Sequence, residues 1–126
     1  MIGDGELVAA IEACTLPAAD FDHRQHVRLA WIYLGGKPLL DALSHFAETL
    51  KRYAASLGAT TKYHETITFA FLFLIHERMQ RGPAATFDEF AAANPDLFEP
   101  ILDRYYRPET LASPLARATF VMPDRA

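Results

Sequence analysis

Apolar residues recur at helical spacing near the start of the chain, in the stretch FDHRQHVRLAWIYLGG at residues 21–36. The spacing i, i+3, i+4, i+7 of one helix face is met by Val27, Ala30, Trp31 and Leu34. Asp22 is a suitable N-cap, and Gln25 three residues later completes a capping box. The pattern therefore predicts an amphipathic helix that begins next to Asp22 and ends at Gly35-Gly36.

The next two predicted helices are longer. Helical period continues from Leu39 to Leu57, and Gly58 follows as a stop. A further helix is predicted at 62–81, with Thr60 or Thr61 as its cap and Gly82-Pro83 as its end. Its middle, ITFAFLFLI, is apolar on every face, which is typical of the central helix of a bundle. Its β-forming residues are also compatible with a strand, but the length of the segment favours a helix.

Beyond Pro83 the predicted elements are short. Thr86 and Glu89 form a capping box that opens a helix at 87–93, and Ser113-Pro114 opens a last short helix. Residues 121–126, VMPDRA, are predicted to be a tail. The sequence therefore predicts a single all-α domain over residues 1–126: a helical bundle with a long central helix at 62–81 and shorter C-terminal helices.

Composition narrows the classes of partner and compartment. The chain has 126 residues, of which 51% are hydrophobic, so a folded core is expected rather than disorder. The net charge is −4 and no basic cluster is present, which argues against a nucleic-acid partner. Cys14 is the only cysteine, so a reducing compartment is expected. The N-terminus does not have a signal-peptide pattern and the longest apolar run, 67–75, is too short to cross a bilayer, so we expect a cytoplasmic protein without a membrane partner.

Two histidines lie at the start of the predicted helix at 21–36. His23 falls within its apolar stripe and His26 lies three residues later, so both imidazoles can meet at one point. Such a point suits a metal ion or a proton-transfer pair, because neutral imidazole is a common metal ligand and a common acid or base. The alternative is a polar first turn in which a histidine bonds to the backbone.

A third histidine opens the most apolar helix, in TKYHETIT at residues 61–68. If the starts of the two helices meet, His23, His26 and His64 supply three nitrogen ligands, which is the pattern of catalytic rather than structural zinc. Iron is the other metal expected, and its protein ligands would be two histidines and a carboxylate. Glu65 is the candidate general base or fourth ligand. The predicted pocket walls are Trp31, Tyr33, Tyr63 and Thr68.

Three arginines interrupt or adjoin apolar segments: Arg28, Arg104 and Arg117. The favoured interpretation is an ion pair with one of the 16 acidic residues. The alternative is a clamp for an anionic substrate, since a guanidinium binds a carboxylate through two hydrogen bonds.

Three functional hypotheses follow from these residues. The first is a divalent-metal-dependent hydrolase, lyase or oxygenase that acts on a small molecule at the three histidines. The second is a metal-free protein, either a small-ligand-binding module or a His/Glu acid-base enzyme. The third is a helical interaction module, with a homodimer as one form. At the level of the sequence, both an enzyme and a binding protein remain open.

Overall fold

The structure, a computed structural model, describes residues 2–125 and is built from helices. The α-helices are α1 (Asp4–Glu12), α2 (His23–Gly36), α3 (Leu39–Ser56), α4 (Glu65–Arg81), α5 (Phe87–Ala93), α6 (Pro108–Leu111) and α7 (Pro114–Ala118). Short 3₁₀ helices occur at Ala18–Asp20, Thr60–Lys62, Pro95–Phe98 and Ile101–Arg104. Residues 2–125 contain no strand, so the predicted all-α class is confirmed. Within that range, every helix is too short or too polar to span a bilayer.

The chain divides into two compact units. The N-terminal unit ends at Tyr63 and contains α1, α2 and α3, with α2 packed on α3 and α1 in contact with both. The C-terminal unit begins at His64 and contains α4 to α7, with α4 in contact with α7 and with the 3₁₀ helix Ile101–Arg104.

Arg28 fixes the start of α1 to α2 in the N-terminal unit. Its side chain is buried, and its Nε and Nη2 atoms donate to Asp4 Oδ1 at 2.9 and 2.7 Å. A second bond from Nη2 reaches the Ile2 carbonyl oxygen at 2.9 Å. A buried guanidinium is tolerated because its charge and its donors are satisfied in this way. The favoured prediction for Arg28, a structural ion pair, agrees with these contacts.

The predicted helix caps form as local hydrogen bonds. The Asp22 side chain accepts from the Gln25 amide at 3.1 Å, and the Thr86 side chain accepts from the Glu89 amide at 3.2 Å. At the start of α7, the Ser113 side chain accepts from the Ala116 amide at 3.2 Å. The predicted start of the helix at 62–81 is wrong by three residues, because Thr60–Lys62 forms a separate 3₁₀ turn and His64, rather than Thr60 or Thr61, caps α4.

A network of charges fixes the middle of the C-terminal unit. Arg78 on α4 donates through both terminal nitrogens to Asp96, at 2.8 and 2.9 Å, and Arg104 donates to the same carboxylate at 3.1 Å. The hydrogen bonds from Arg78 lower the pKa of Asp96 to about 2. The 3₁₀ helix Pro95–Phe98 is therefore tied to α4 by a bidentate pair, and the 3₁₀ helix Ile101–Arg104 is tied to Pro95–Phe98 by the single bond from Arg104.

Residues 119–125, which we name the tail, are bound along the C-terminal unit. Thr66, a fully buried residue in the first turn of α4, donates to the Thr119 carbonyl at 2.8 Å and accepts from the Val121 amide at 3.0 Å. Tyr106 donates its hydroxyl to the Val121 carbonyl at 2.7 Å, and the Asp124 carboxylate accepts from the Thr110 hydroxyl. The tail is therefore held to the C-terminal unit by hydrogen bonds and belongs to its fold.

Candidate functional site

The first two predicted ligands lie in the opening turn of α2. His23 is exposed, so the prediction that it belongs to the buried stripe is wrong: the stripe begins only at Val27. His26 is partly buried, and its ring stacks on Phe21 with centroids 3.8 Å apart and planes 16° apart. Its Nδ1 donates to the Asp22 carbonyl oxygen at 2.9 Å. Burial lowers the pKa of His26, and the adjacent charge of His23 lowers it further.

The lowered pKa of His26 predicts a loss of stability in mild acid. The unfolded chain takes up a proton near pH 6.5 and the folded chain only at lower pH, so the stability present above pH 6.5 is lost as the pH falls from there toward the folded pKa. We expect the free energy of unfolding, from urea titrations at pH 7.5 and 5.5, to fall less in His26→Gln than in the wild type. His76→Gln on α4 is the matched control and should retain the full fall. An equal fall in all three proteins would contradict the assignment.

His64 is the N-cap of α4 and both of its ring nitrogens are engaged. Nδ1 accepts from the Ile67 amide at 3.1 Å, which requires a lone pair on that nitrogen. Nε2 lies 2.7 Å from the Leu111 carbonyl oxygen and therefore carries the proton that it donates. The side chain is buried. A metal at His64 would have to replace one of these two bonds.

The remaining predicted site residues belong to the two units separately. In the C-terminal unit, Glu65 begins α4, and buried Thr68 donates its hydroxyl to the His64 carbonyl at 2.7 Å. In the N-terminal unit, Trp31 is half-buried on α2, Tyr33 is buried, and Tyr63 has Lys51 Nζ 5.1 Å from its ring centroid. Across the described part of the chain, no group of three or more His, Cys, Asp or Glu side chains is arranged to hold a metal ion. The predicted metal site is therefore supported by the sequence pattern alone.

An acid-base cluster that sequence reasoning missed lies among α1, α2 and α3. The Tyr33 hydroxyl donates to Glu12 Oε2 at 2.6 Å and lies 3.2 Å from the Thr49 hydroxyl. His45 Nε2 lies 3.1 Å from the same Glu12 oxygen, and its ring stacks on Tyr33 with centroids 4.1 Å apart. Burial, and then the bond to Glu12, raise the pKa of Tyr33, so the phenol stays protonated and acts as a donor. One carboxylate oxygen thereby links all three helices of the N-terminal unit.

The C-terminal unit contains an apolar cleft of about 360 Å³. One wall is a single face of α4, with the spacing i, i+3, i+4, i+7, formed by Ala70, Phe73, Leu74 and Glu77. The other walls are Leu102 from the 3₁₀ helix Ile101–Arg104, Tyr105 and Tyr106 directly after it, and Phe120 and Pro123 from the tail. We refer to these nine residues as the cleft.

Packing around the cleft explains why it has a definite shape. Ala70, Leu102 and Tyr106 are buried and form a cluster against which Leu74 and Phe120 pack. The Phe120 ring meets Phe73 edge to face, with centroids 5.7 Å apart. The small side chain of Ala70 leaves room between larger neighbours, and the hydrogen bonds of the tail keep Phe120 opposite α4. Such an arrangement can hold an apolar molecule against its walls without reorganising the fold.

No protein-family model, curated protein or solved structure matches this chain.

Proposed function

We propose that this protein is a metal-free binding module for a small, largely apolar molecule, which enters the cleft of the C-terminal unit. The observation that carries the proposal is the cleft itself: a concavity of about 360 Å³ with mainly apolar walls. Small-molecule sites in proteins are concave, mostly apolar and roughly 300–1,000 Å³ in volume, with a few polar groups that orient the ligand. Its walls come from three segments held together by hydrogen bonds, so the site is largely formed before the ligand binds.

The hypothesis of a metal-dependent enzyme has less support than the binding module. His64 uses both ring nitrogens in hydrogen bonds within the C-terminal unit, so a metal at His64 would displace either the Ile67 amide from Nδ1 or the Leu111 carbonyl from Nε2. Displacing either bond would leave a backbone group without its partner, at a cost of about 1–3 kcal/mol if that group stays buried. Binding of a ligand in the cleft does not require any of these hydrogen bonds to break. A cytoplasmic location, favoured by the single cysteine, remains part of this proposal.

The expected affinity is modest. A ligand of two or three rings that removes about 400 Å² of apolar surface from water, counted over the ligand and the cleft together, gains roughly 10 kcal/mol. Lost translational and rotational freedom offsets a large share of this gain, and a well-formed site reduces the additional cost of ordering the protein. We therefore expect dissociation constants of roughly 10 μM to 1 mM for simple apolar probes.

Binding of the neutral fluorescent probe N-phenylnaphthylamine tests the proposal. In the wild type we expect a saturable rise in fluorescence. Leu74→Gln places an amide in the cleft at similar volume, and it should weaken binding about tenfold because apolar contact is lost and a polar group is desolvated. Circular dichroism and thermal unfolding establish that the variant is folded.

The matched control is Leu115→Gln, which makes the same change at an exposed leucine outside the cleft lining. It should leave the dissociation constant of the probe unchanged. If the wild type shows no saturable binding, or if both variants weaken it equally, the cleft is not the binding site and the proposal is overturned.

A further inference from the structure

One acidic side chain belongs to the apolar cleft. Glu77 occupies the i+7 position of the α4 face that begins at Ala70, one turn beyond Phe73 and Leu74. It is the only residue with a formally charged side chain among the nine that line the cleft in the described structure. A carboxylate at the edge of an apolar concavity is the kind of polar group that selects and orients a ligand.

The present partner of Glu77 is readily exchanged. Arg81, one turn further along α4, donates to Glu77 at 3.1 Å, and the two side chains are 74% and 55% exposed. Exposed pairs of this kind are worth about 0–1 kcal/mol, so a cationic ligand group can take the place of Arg81 at little cost. The other two arginines nearby, Arg78 and Arg104, are bound to Asp96. Both of these arginines therefore already have a carboxylate partner in Asp96.

Aromatic side chains supply half of the rest of the lining. Four of the nine residues are aromatic: Phe73, Tyr105, Tyr106 and Phe120. An ammonium group within about 6 Å of an aromatic ring face is attracted by the negative face of the ring, and aromatic cages use this attraction to bind alkylated ammonium ions. The same rings repel a carboxylate placed over their faces, and Glu77 repels it as well.

From this combination we infer that the ligand of the cleft is an organic ammonium ion with an apolar body: the body packs on α4 and the aromatic walls, and the ammonium group meets Glu77 at the edge. This inference rests on the proposed function, since it specifies the ligand class of the same cleft. It predicts a preference between molecules that differ only in their head group.

Displacement of N-phenylnaphthylamine by phenylbutylamine, phenylbutanol and phenylbutyrate at pH 7 measures that preference. The three share one apolar body and differ in charge. We expect the amine to compete about 3- to 10-fold better than the alcohol, the size expected from one exposed ion pair together with a cation–π contact. The carboxylate should compete worst.

Three substitutions test whether Glu77 causes the preference. Glu77→Gln should reduce the preference for the amine to about 2-fold, the share left by the cation–π contact, and leave the alcohol unchanged. Glu109→Gln, the same change at an exposed carboxylate outside the cleft lining, should retain the full preference. Arg81→Gln should strengthen amine binding, because it removes the side chain that competes for Glu77. A probe that binds the wild type with no amine preference, or a preference that Glu77→Gln leaves undiminished, overturns this inference alone. Absence of probe binding overturns the proposed function instead.

Discussion

Replacing His64 with alanine is expected to lower the free energy of unfolding by roughly 2–4 kcal/mol. The substitution removes the N-cap of α4, worth about 1 kcal/mol, and deprives the Leu111 carbonyl of its partner, which costs a further 1–3 kcal/mol if that group stays buried. Urea titration followed by circular dichroism measures the loss. The measurement also separates the two roles considered for this residue, because a cap stabilises the fold in the absence of any metal.

His64→Asn is the matched control for that experiment. Asparagine is a good N-cap but is too short to replace the Nε2 bond to Leu111, so it should recover about half of the loss. Zinc, ferrous iron and a chelator should leave the wild type and both variants unchanged. An alanine variant within about 0.5 kcal/mol of the wild type would refute the structural role. A gain in stability with zinc that disappears in His64→Ala would support the predicted metal instead.

The helix starts that could be predicted from sequence are those whose hydrogen bonds are local. Asp22, Thr86 and Ser113 each accept from an amide three residues later, so both partners are visible in a window of four residues. The all-α class follows from the same kind of local information, namely the helical period of apolar positions.

The start of α4 was mispredicted because its cap depends on a distant partner. Thr60 and Thr61 are common capping residues, and histidine is not. What favours His64 is the Leu111 carbonyl, 47 residues away in sequence, which holds the ring while Nδ1 accepts from the helix. Glu12, Tyr33 and His45 are likewise separated by up to 33 residues, so only the packing of three helices reveals that they meet.

The cleft was missed for a different reason. The middle of α4 is apolar on every face, so the hydrophobic pattern gives no means of separating the stripe at residues 70, 73, 74 and 77 from the stripes that face the core. The one signal is Glu77, which lies two residues beyond the apolar run at 67–75 and at the i+7 position of that stripe. Of the tail residues opposite, Phe120 lies at the end of the last predicted helix and Pro123 lies in the segment 121–126, which is predicted to be irregular.

Because the tail forms one wall of the cleft, the bonds that hold it should control both stability and ligand binding. Thr66→Val keeps the shape of the side chain but removes the hydroxyl that bridges Thr119 and Val121, so two backbone groups lose their partner at a fully buried position. We expect a loss of about 1–3 kcal/mol in the free energy of unfolding. Binding of N-phenylnaphthylamine should also weaken, since Phe120 lies between the two released residues.

Thr66→Ser provides the comparison that isolates the hydroxyl. Serine keeps both hydrogen bonds and loses one methyl group, so it should cost about 1 kcal/mol or less and leave the dissociation constant of the probe near that of the wild type. Urea titration and the fluorescence titration measure the two effects on the same samples. If valine and serine are equally stable and bind the probe equally well, the Thr66 hydroxyl does not hold the tail, and the wall of the cleft depends on the packing of Phe120 against Phe69 and Phe73 alone.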